Sequence, residues 1–175
     1  EGQNVTAGNL TAHGDLLFGD IDLSDTHTVS VTASATKSGG GAVPLTNAQV
    51  LAAFHTTLDD SNGTLLGDVA WNFALADSSV NFLQAGETLT LTYNVTIRDP
   101  SNATDTETVT VTILGTNHPV VITSGPESAS LSEMADTTGS AAVDQTSPVP
   151  TGTLTFTDQD LSNTHTVQVT VASTT

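Results

Sequence analysis

The sequence predicts an all-β protein, a Greek-key β-sandwich with one short helix in each unit. Apolar and polar residues alternate with period two over most of the chain, as expected of half-buried strands. Threonine is heavily used, with 33 residues, many of them next to Val, Leu or Ile. Such β-branched side chains fit a pleated surface. About seven such strands, separated by turn residues, occupy residues 1–117, which is the strand number of a Greek-key sandwich.

The strands follow one another with their apolar residues in phase. The stretch "GDLLFGD" places Leu16 and Phe18 on one face, before an acidic turn that runs from residue 20 to 25. The next strand, "THTVSVTA", carries His27 on its apolar face. "DVAWNFALAD" contains the single tryptophan, and "TLTLTYNVTIRD" and "TETVTVTIL" form a hairpin. Because alternate residues of a strand share a face, we expect one buried cluster: Val69, Trp71, Phe73, Leu89, Leu91, Tyr93, Val95, Val109, Val111 and Ile113.

One segment predicts a helix, "LTNAQVLAAFHTTL" at residues 45–58. Thr46 can cap its start, and Val50, Leu51 and Phe54 share a face. The glycine-rich "SGGGAVP" before it predicts a flexible loop. "SSVNFLQAGE", further along, predicts a short turn or a single helical turn.

A long internal repeat defines the organisation of the chain. "FGDIDLSDTHTVSVT" at residues 18–32 recurs as "FTDQDLSNTHTVQVT" at residues 156–170, and 13 of 21 positions are identical from Gly14 and Gly152 onward. The period of 138 residues is the size of a domain and is too long for a solenoid repeat. We therefore predict a sandwich repeat over residues 1–117 that lacks its first strands. Residues 118–175 are predicted to be the N-terminal part of the next repeat, with strands available for pairing.

The charge of the chain restricts its partners. Nineteen acidic residues against two basic ones give a net charge of −17. Nucleic acids and anionic membranes require basic patches, so neither is an expected partner. No stretch approaches the roughly 20 apolar residues of a membrane helix, and we expect no direct membrane insertion. The absence of cysteine excludes disulfides and thiolate metal sites, whereas the excess of acid predicts stabilisation by cations.

Four strings together resemble the VCBS repeat: "DLLFGDIDLSDTHTVSVTA", "DVAWNFALADSSVNFLQAGETLTLTYNVTIRD", "TDTETVTVTILGTN" and "PVVITSG". That family occurs in tandem in very large bacterial surface and biofilm adhesins. The resemblance covers almost the whole chain, and it implies an Ig/cadherin-like sandwich, an extracellular location reached by type I secretion, and calcium near domain junctions. It also implies that the chain is an internal piece of a longer protein. The family's linker usually reads "GTND", whereas this chain has "GTNH", with His118 in the acidic place.

Candidate calcium ligands lie in three turns. Two aspartates that are two residues apart at a strand end can point their carboxylates to one side, about 7 Å apart. Ca²⁺ takes six to eight oxygen ligands in flexible geometry. The alternative is a solvated turn without metal, because Asp and Asn side chains also cap turns. The candidates are Asp20, Asp22 and Asp25 of the first acidic turn, Asp158, Asp160 and Asn163 of its repeat, and, more weakly, Asp99 and Asp105 at the ends of one hairpin.

Other polar and aromatic residues are predicted to be structural. His27 and His165 occupy apolar positions in the repeated strand, which favours hydrogen-bonded core histidines over metal ligands or bases. The phase of Trp71 favours the core over a sugar-stacking surface. Asp59 and Asp60 in "DDSNG" are predicted to form a plain turn. No nucleophile with an adjacent base and orienting acid appears, so we do not expect an enzyme.

These observations predict a structural extender, a building-block repeat of an extracellular bacterial adhesin or surface fibre. Its expected partners are neighbouring copies of the same protein, joined head to tail by strand complementation and rigidified by calcium. The alternative is a glycan- or protein-binding sandwich module of a secreted protein, which exposed aromatics in loops 38–46 or 77–86 would favour. Two alternatives to pairing between separate copies stay open. The sequence is a window of a longer continuous array of repeats, or residues 118–175 fold back on the first unit of their own chain.

Overall fold

A computed structural model describes residues 5–130, 151–160 and 163–172. The chain divides into two compact units, Glu1–His118 together with Asp160–Thr175, and Pro119–Gln159. The division after His118 lies next to the predicted boundary between residues 117 and 118. The assignment of residues 118–175 to a following repeat stays a prediction.

Short loops and turns connect the elements of the first unit. These elements are β1 (Val5–Thr6), β2 (Asn9–Gly19), β3 (Thr28–Lys37), α1 (Asn47–Ala52), β4 (Phe54–Asp59), β5 (Leu66–Ala76), a 3₁₀ turn (Asp77–Val80), β6 (Thr88–Arg98) and β7 (Thr104–Leu114). The second unit contains β8 (Val121–Ile122) and β9 (Phe156–Thr157). All strand pairs in the described part of the chain are antiparallel. The 3₁₀ turn overlaps the start of the segment at residues 78–87, for which the sequence predicts a short turn or a single helical turn.

The first unit contains two sheets. One has the strand order β1-β2-β5-β4 and the other β3-β6-β7, while β8 and β9 form a separate two-stranded ladder. The pair β2–β5 is in register from Asn9 opposite Ala76 to Gly19 opposite Leu66. In β6, Thr alternates with Leu, Tyr and Val, so that one face is buried and the other is polar. These antiparallel sheets, together with the short helix α1, confirm the predicted all-β class with one short helix.

The core lies between the two sheets. Tyr93 of β6 is fully buried, and its ring stacks on Phe54 of β4 with 4.2 Å between centroids. The predicted cluster is confirmed, although Trp71 and Val111 are only partly buried at its margin. The Trp71 indole stacks on Phe54 at 5.5 Å and lies over Gly14, where a Cβ atom would come within 2.8 Å of the indole ring.

The predicted helix over residues 45–58 is shorter than expected. It ends at Ala52, and Phe54 begins β4 as the partner of Phe73. Thr46 caps the helix as predicted, in a reciprocal capping box with Gln49. A helix of six residues gains little from propensity alone. The sequence "FHTTLD" therefore pairs with β5, where its β-branched residues fit the edge of the sheet.

Replacing Tyr93 should separate packing from hydrogen bonding. Tyr93→Ala should lower the free energy of unfolding by about 3–5 kcal/mol, because it leaves a cavity between the sheets. Tyr93→Phe keeps the ring but loses the hydrogen bond that the hydroxyl donates to the Val50 carbonyl at 3.0 Å, which costs about 1–2 kcal/mol. Urea denaturation measures both. Equal losses in the two variants would contradict the assignment of the ring to the core.

Candidate metal-binding site

The acidic turn after β2 is held by its own hydrogen bonds. The Asp20 Oδ1 atom accepts from the Asp22 N–H at 2.8 Å, and the Asp22 carbonyl accepts from the Asp25 N–H at 2.8 Å. The Asp20 N–H donates to the Leu65 carbonyl at 3.2 Å, which ties the turn to the start of β5. The turn therefore presents fixed carboxylates at one end of the first unit.

Three aspartates converge at this turn. Asp20, Asp25 and Asp99 each place a carboxylate oxygen within 4.8 Å of the others, and all three residues are partly buried. Asp99 follows the end of β6, and it is held in a hairpin turn by the Ala103 N–H, which donates to its Oδ1 atom at 2.8 Å. Carboxylate oxygens are the ligands that Ca²⁺ prefers, so the donor set fits this ion.

The electrostatics of the turn favour a cation. Burial raises the pKa of Asp25, and repulsion from Asp20, Asp22 and Asp99 raises it further. In contrast, the hydrogen bond from the Asp22 N–H lowers the pKa of Asp20, and His27 lowers it further. Ionising Asp25 therefore costs free energy in the folded state, and a bound cation would remove that cost.

The remaining candidates lie elsewhere. Asp22 is exposed and lies outside the group of three, and Asp105 accepts a hydrogen bond from the Thr106 N–H at 2.8 Å. In the second acidic turn, Asp158 is partly buried. The first turn thus brings two of its three predicted ligands together with one residue of the hairpin pair. Calcium binding itself stays a prediction.

The second acidic turn binds a histidine. The Asp160 side chain is fully buried, and its Oδ2 atom accepts from the His118 N–H at 3.1 Å and from the Asn163 Nδ2 at 3.1 Å. The His118 Nδ1 atom lies 2.9 Å from Asp160 Oδ1. His118 is therefore the partner of the repeated turn, a link between residues 42 positions apart that no sequence pattern indicated.

His27 is clamped between two carboxylates. Its Nδ1 lies 2.7 Å from Asp60 Oδ1, its Nε2 lies 3.0 Å from Asp20 Oδ2, and its N–H donates to Asp60 Oδ2 at 2.9 Å. Its side chain is only 4% exposed. Ionised carboxylates only accept hydrogen bonds, so both ring nitrogens carry a proton and the ring is an imidazolium. The prediction of a hydrogen-bonded core histidine is confirmed, whereas the prediction that Asp60 belongs to a plain turn is wrong.

The pKa values reflect this clamp. Burial by itself lowers the pKa of His27, but the hydrogen bonds to Asp60 and Asp20 outweigh it, and the pKa is raised overall. For Asp60, burial raises the pKa, but the N–H and the ring of His27 lower it by more. A carboxylate that faces an imidazolium stays ionised to lower pH.

The corresponding prediction for His165 is wrong, because His165 is exposed. Val167 and Val169, in phase with it, are 84% and 88% exposed. In the described part of the chain no strand of the second copy covers this face, so its apolar phase does not place it in a core.

A groove of about 480 Å³ lies along the first unit. Residues of β2 line one side and residues of β7 the other, with the Trp71 side chain between them. The groove explains why Trp71 and Val111 are only partly buried. Leu10, Ala12 and Ile113 also line it.

The fold defines a mainly antiparallel β protein with one short helix. Comparison of the chain with protein-family models, with curated proteins and with solved structures gives no match. Among the residues that the structure describes, no helix has the length and apolar character needed to cross a bilayer.

Stability should depend on pH through His27. Its folded pKa lies above the unfolded value of about 6.5, so its stabilisation is complete below that pH and is lost as the pH rises through the folded pKa. The lowered pKa values of Asp20 and Asp60 act at the acid end. Their stabilisation is present above about pH 4 and is lost as the pH falls through their folded pKa values.

Urea unfolding across this pH range measures the effect. His27→Gln should flatten the loss of stability above about pH 6.5. The matched control is His13→Gln, which replaces an exposed histidine of β2 and should leave the loss unchanged. A parallel loss in the wild type and in His27→Gln would show that the clamp does not carry the pH dependence.

Proposed function

We propose that the protein is a structural extender, a building-block repeat of an extracellular bacterial adhesin or surface fibre exported by a type I secretion route. The proposed unit is an Ig/cadherin-like Greek-key β-sandwich that assembles head to tail with neighbouring copies and is rigidified by calcium. In this role the protein catalyses no reaction and instead gives length and stiffness to the adhesin or fibre.

One observation carries this proposal: the sequence of the acidic turn and of the strand after it occurs twice in one chain, and the two turns share one backbone hydrogen bond. The Asp25 N–H donates to the Asp22 carbonyl at 2.8 Å, and in the second copy the Asn163 N–H donates to the Asp160 carbonyl at 3.0 Å. A domain-sized period is typical of proteins built as beads on a string. The net charge of −17 keeps such a chain soluble and extended.

In this proposal calcium binds at the acidic turn after β2. Asp20, Asp25 and Asp99 would supply the protein oxygens, and the Asp22 carboxylate would add to the local negative potential. The trio joins the turn after β2 to the end of β6, and β2 and β6 belong to different sheets. A bound ion would therefore stiffen the unit by cross-linking its two sheets at one end.

Calcium should stabilise the protein through this trio. At a hundredfold excess over Kd, the free energy of unfolding should rise by about 2.7 kcal/mol. Asp99→Asn should remove most of the rise. Asp105→Asn is the matched control, because Asp105 lies in the same hairpin but outside the trio. Thermal unfolding at fixed ionic strength, with calcium or with EDTA, measures the effect.

Two results would contradict the calcium assignment. One is a melting temperature that EDTA leaves unchanged at fixed ionic strength. The other is an equal gain from NaCl, which would show that screening of the net charge explains the stabilisation.

The extender role predicts that the length of the protein increases in proportion to the number of linked copies. Linking one, two and three copies in one chain should increase the maximum dimension in small-angle X-ray scattering by an equal step for each copy. Dimensions that grow much less than linearly would show that the copies collapse on one another, which an extender cannot do.

A second candidate function is binding of a glycan or protein ligand in the groove. The part-exposed Trp71 in this groove is the observation that favours it, because aromatic faces bind sugars and apolar side chains. Soluble oligosaccharides titrated into the protein should quench Trp71 fluorescence if this function is correct. Since Trp71 is the single tryptophan, the signal has no background.

A further inference from the structure

Among the residues that the structure describes, the edge of the first sheet along β2 is only partly paired. On one side β2 pairs with β5 over its whole length, and on the other side β1 covers only Asn9 and Leu10. From Ala12 to Gly19, no described strand pairs with that second side. An unpaired edge is a template for another strand.

The hydrogen-bond phase shows which groups face the open side. The Asp20 N–H donates to the Leu65 carbonyl, in line with the register of β2 and β5. Successive residues of an antiparallel strand alternate between the two neighbouring strands. Even-numbered residues of β2 therefore bond to β5, and the N–H and C=O of Leu17 and Gly19 face the open edge.

The second copy shows which segment pairs with the equivalent edge. By the repeat, β9 corresponds to Phe18 and Gly19, and Thr155 corresponds to Leu17. β8 pairs with β9, with Val121 opposite Thr157 and Ile122 opposite Phe156. The Thr123 N–H donates to the Thr155 carbonyl at 2.8 Å. Since Thr155 is the equivalent of Leu17, the β8 segment lies on the side that is open in β2.

The turn that follows supports the same correspondence. Asp160 corresponds to Asp22, and the Asp160 carboxylate binds both the N–H and the ring Nδ1 of His118. The two turns share their closing hydrogen bond, as described above. Asp22 is exposed. The first copy thus carries the same edge and the same carboxylate, placed for a segment equivalent to His118–Thr123.

We propose that this edge and Asp22 form the acceptor for residues 118–123 of a neighbouring copy of the protein. Val121, Ile122 and Thr123 of that copy pair antiparallel with Gly19, Phe18 and Leu17. Its His118 binds the Asp22 carboxylate through its N–H and Nδ1. This inference rests on the proposed head-to-tail extender function, and it names the two surfaces that join successive copies.

On leaving its own chain the segment loses two contacts. The first is the ladder of β8 and β9, which is two residues long and therefore marginal in water, and the second is the His118–Asp160 pair, which the His118–Asp22 pair replaces in the neighbouring copy. On β2 the same segment would extend a four-stranded sheet that already packs on a core. A contact between two different surfaces that does not close into a ring propagates from copy to copy.

Both surfaces expose apolar side chains. Val121 and Ile122 are 54% and 65% exposed, and at the acceptor Leu17 and Leu66 are 83% and 73% exposed. Leu66 is opposite Gly19 in the register, so these two leucines lie at the same corner as the open edge. Exposed apolar residues gathered at one place are typical of an interaction surface, and the pairing removes such area from water.

Disulfide trapping tests the register. The chain has no cysteine, so a Leu17→Cys copy and a Thr123→Cys copy, one of them ¹⁵N-labelled, can be mixed and oxidised without background. Positions in a hydrogen-bonded antiparallel pair lie about 5.5 Å apart between Cα atoms, within disulfide range. Both residues are exposed, so the substitutions should not disturb folding. The matched control pairs Thr123→Cys with Thr32→Cys, an exposed position on β3 of the other sheet.

The mixed 17–123 disulfide, identified by peptide mass, should form at least about tenfold faster than the control disulfide. Equal rates would overturn the proposal. Adding Asp22→Asn to the Leu17→Cys copy should slow trapping by about tenfold, the factor carried by a charge-assisted hydrogen bond, whereas Asp105→Asn should not. Equal rates for these two variants would overturn the role of Asp22.

The two experiments distinguish a failure of this interface from a failure of the extender function. If linked copies extend in equal steps but no 17–123 disulfide forms in excess of the control, the extender stands and this interface is wrong. If the linked copies collapse while the disulfide forms, the interface is correct and the extender function fails.

Discussion

The first unit depends on one buried imidazolium. His27 lies immediately before β3, and it is held by Asp20, which follows β2, and by Asp60 in the turn between β4 and β5. The end of β2, the start of β3 and the turn between β4 and β5 are therefore joined through the His27 imidazolium. The chain has only two other fixed positive charges, of which Lys37 pairs with Glu87 at 2.6 Å and Arg98 binds Asn102. In a protein so rich in acid, a histidine supplies the internal positive charge that basic residues usually provide.

The same recognition occurs twice with different partners. Asp60 binds the N–H and Nδ1 of His27, and Asp160 binds the N–H and Nδ1 of His118. In both, one carboxylate oxygen accepts from the backbone and the other pairs with the ring, which fixes the orientation of the ring. One carboxylate thus holds the backbone and the side chain of a histidine together.

The sequence predicted the strands and the core better than the site. Alternation alone placed Tyr93, Leu91 and Val69 in the core, because side-chain direction in a strand follows from position. It failed at β4, where the cap at Thr46 marked the start of a helix but nothing marked its early end. Asp60 was missed because its bond to His27 spans 33 residues and Asp59 offers the same chemistry beside it. Asp99 could not be preferred over Asp105 without the hairpin geometry, which brings only Asp99 to the acidic turn.

The carboxylates of the acidic turn differ in what compensates their charge. Asp20 accepts one hydrogen bond on each oxygen, from the Asp22 N–H at Oδ1 and from His27 at Oδ2, and each oxygen keeps a lone pair that a cation can use. For Asp25, burial raises the pKa most and repulsion from Asp20, Asp22 and Asp99 raises it further, whereas the attraction of His27 offsets only part of this. Asp22 is exposed and adds to that repulsion. Hydrogen bonds donated to Asp22 by His118 of a neighbouring copy would reduce the repulsion that Asp22 exerts on Asp25. Assembly and cation binding would then act on the same local potential, and each would change the affinity of the other through Asp22 and Asp25.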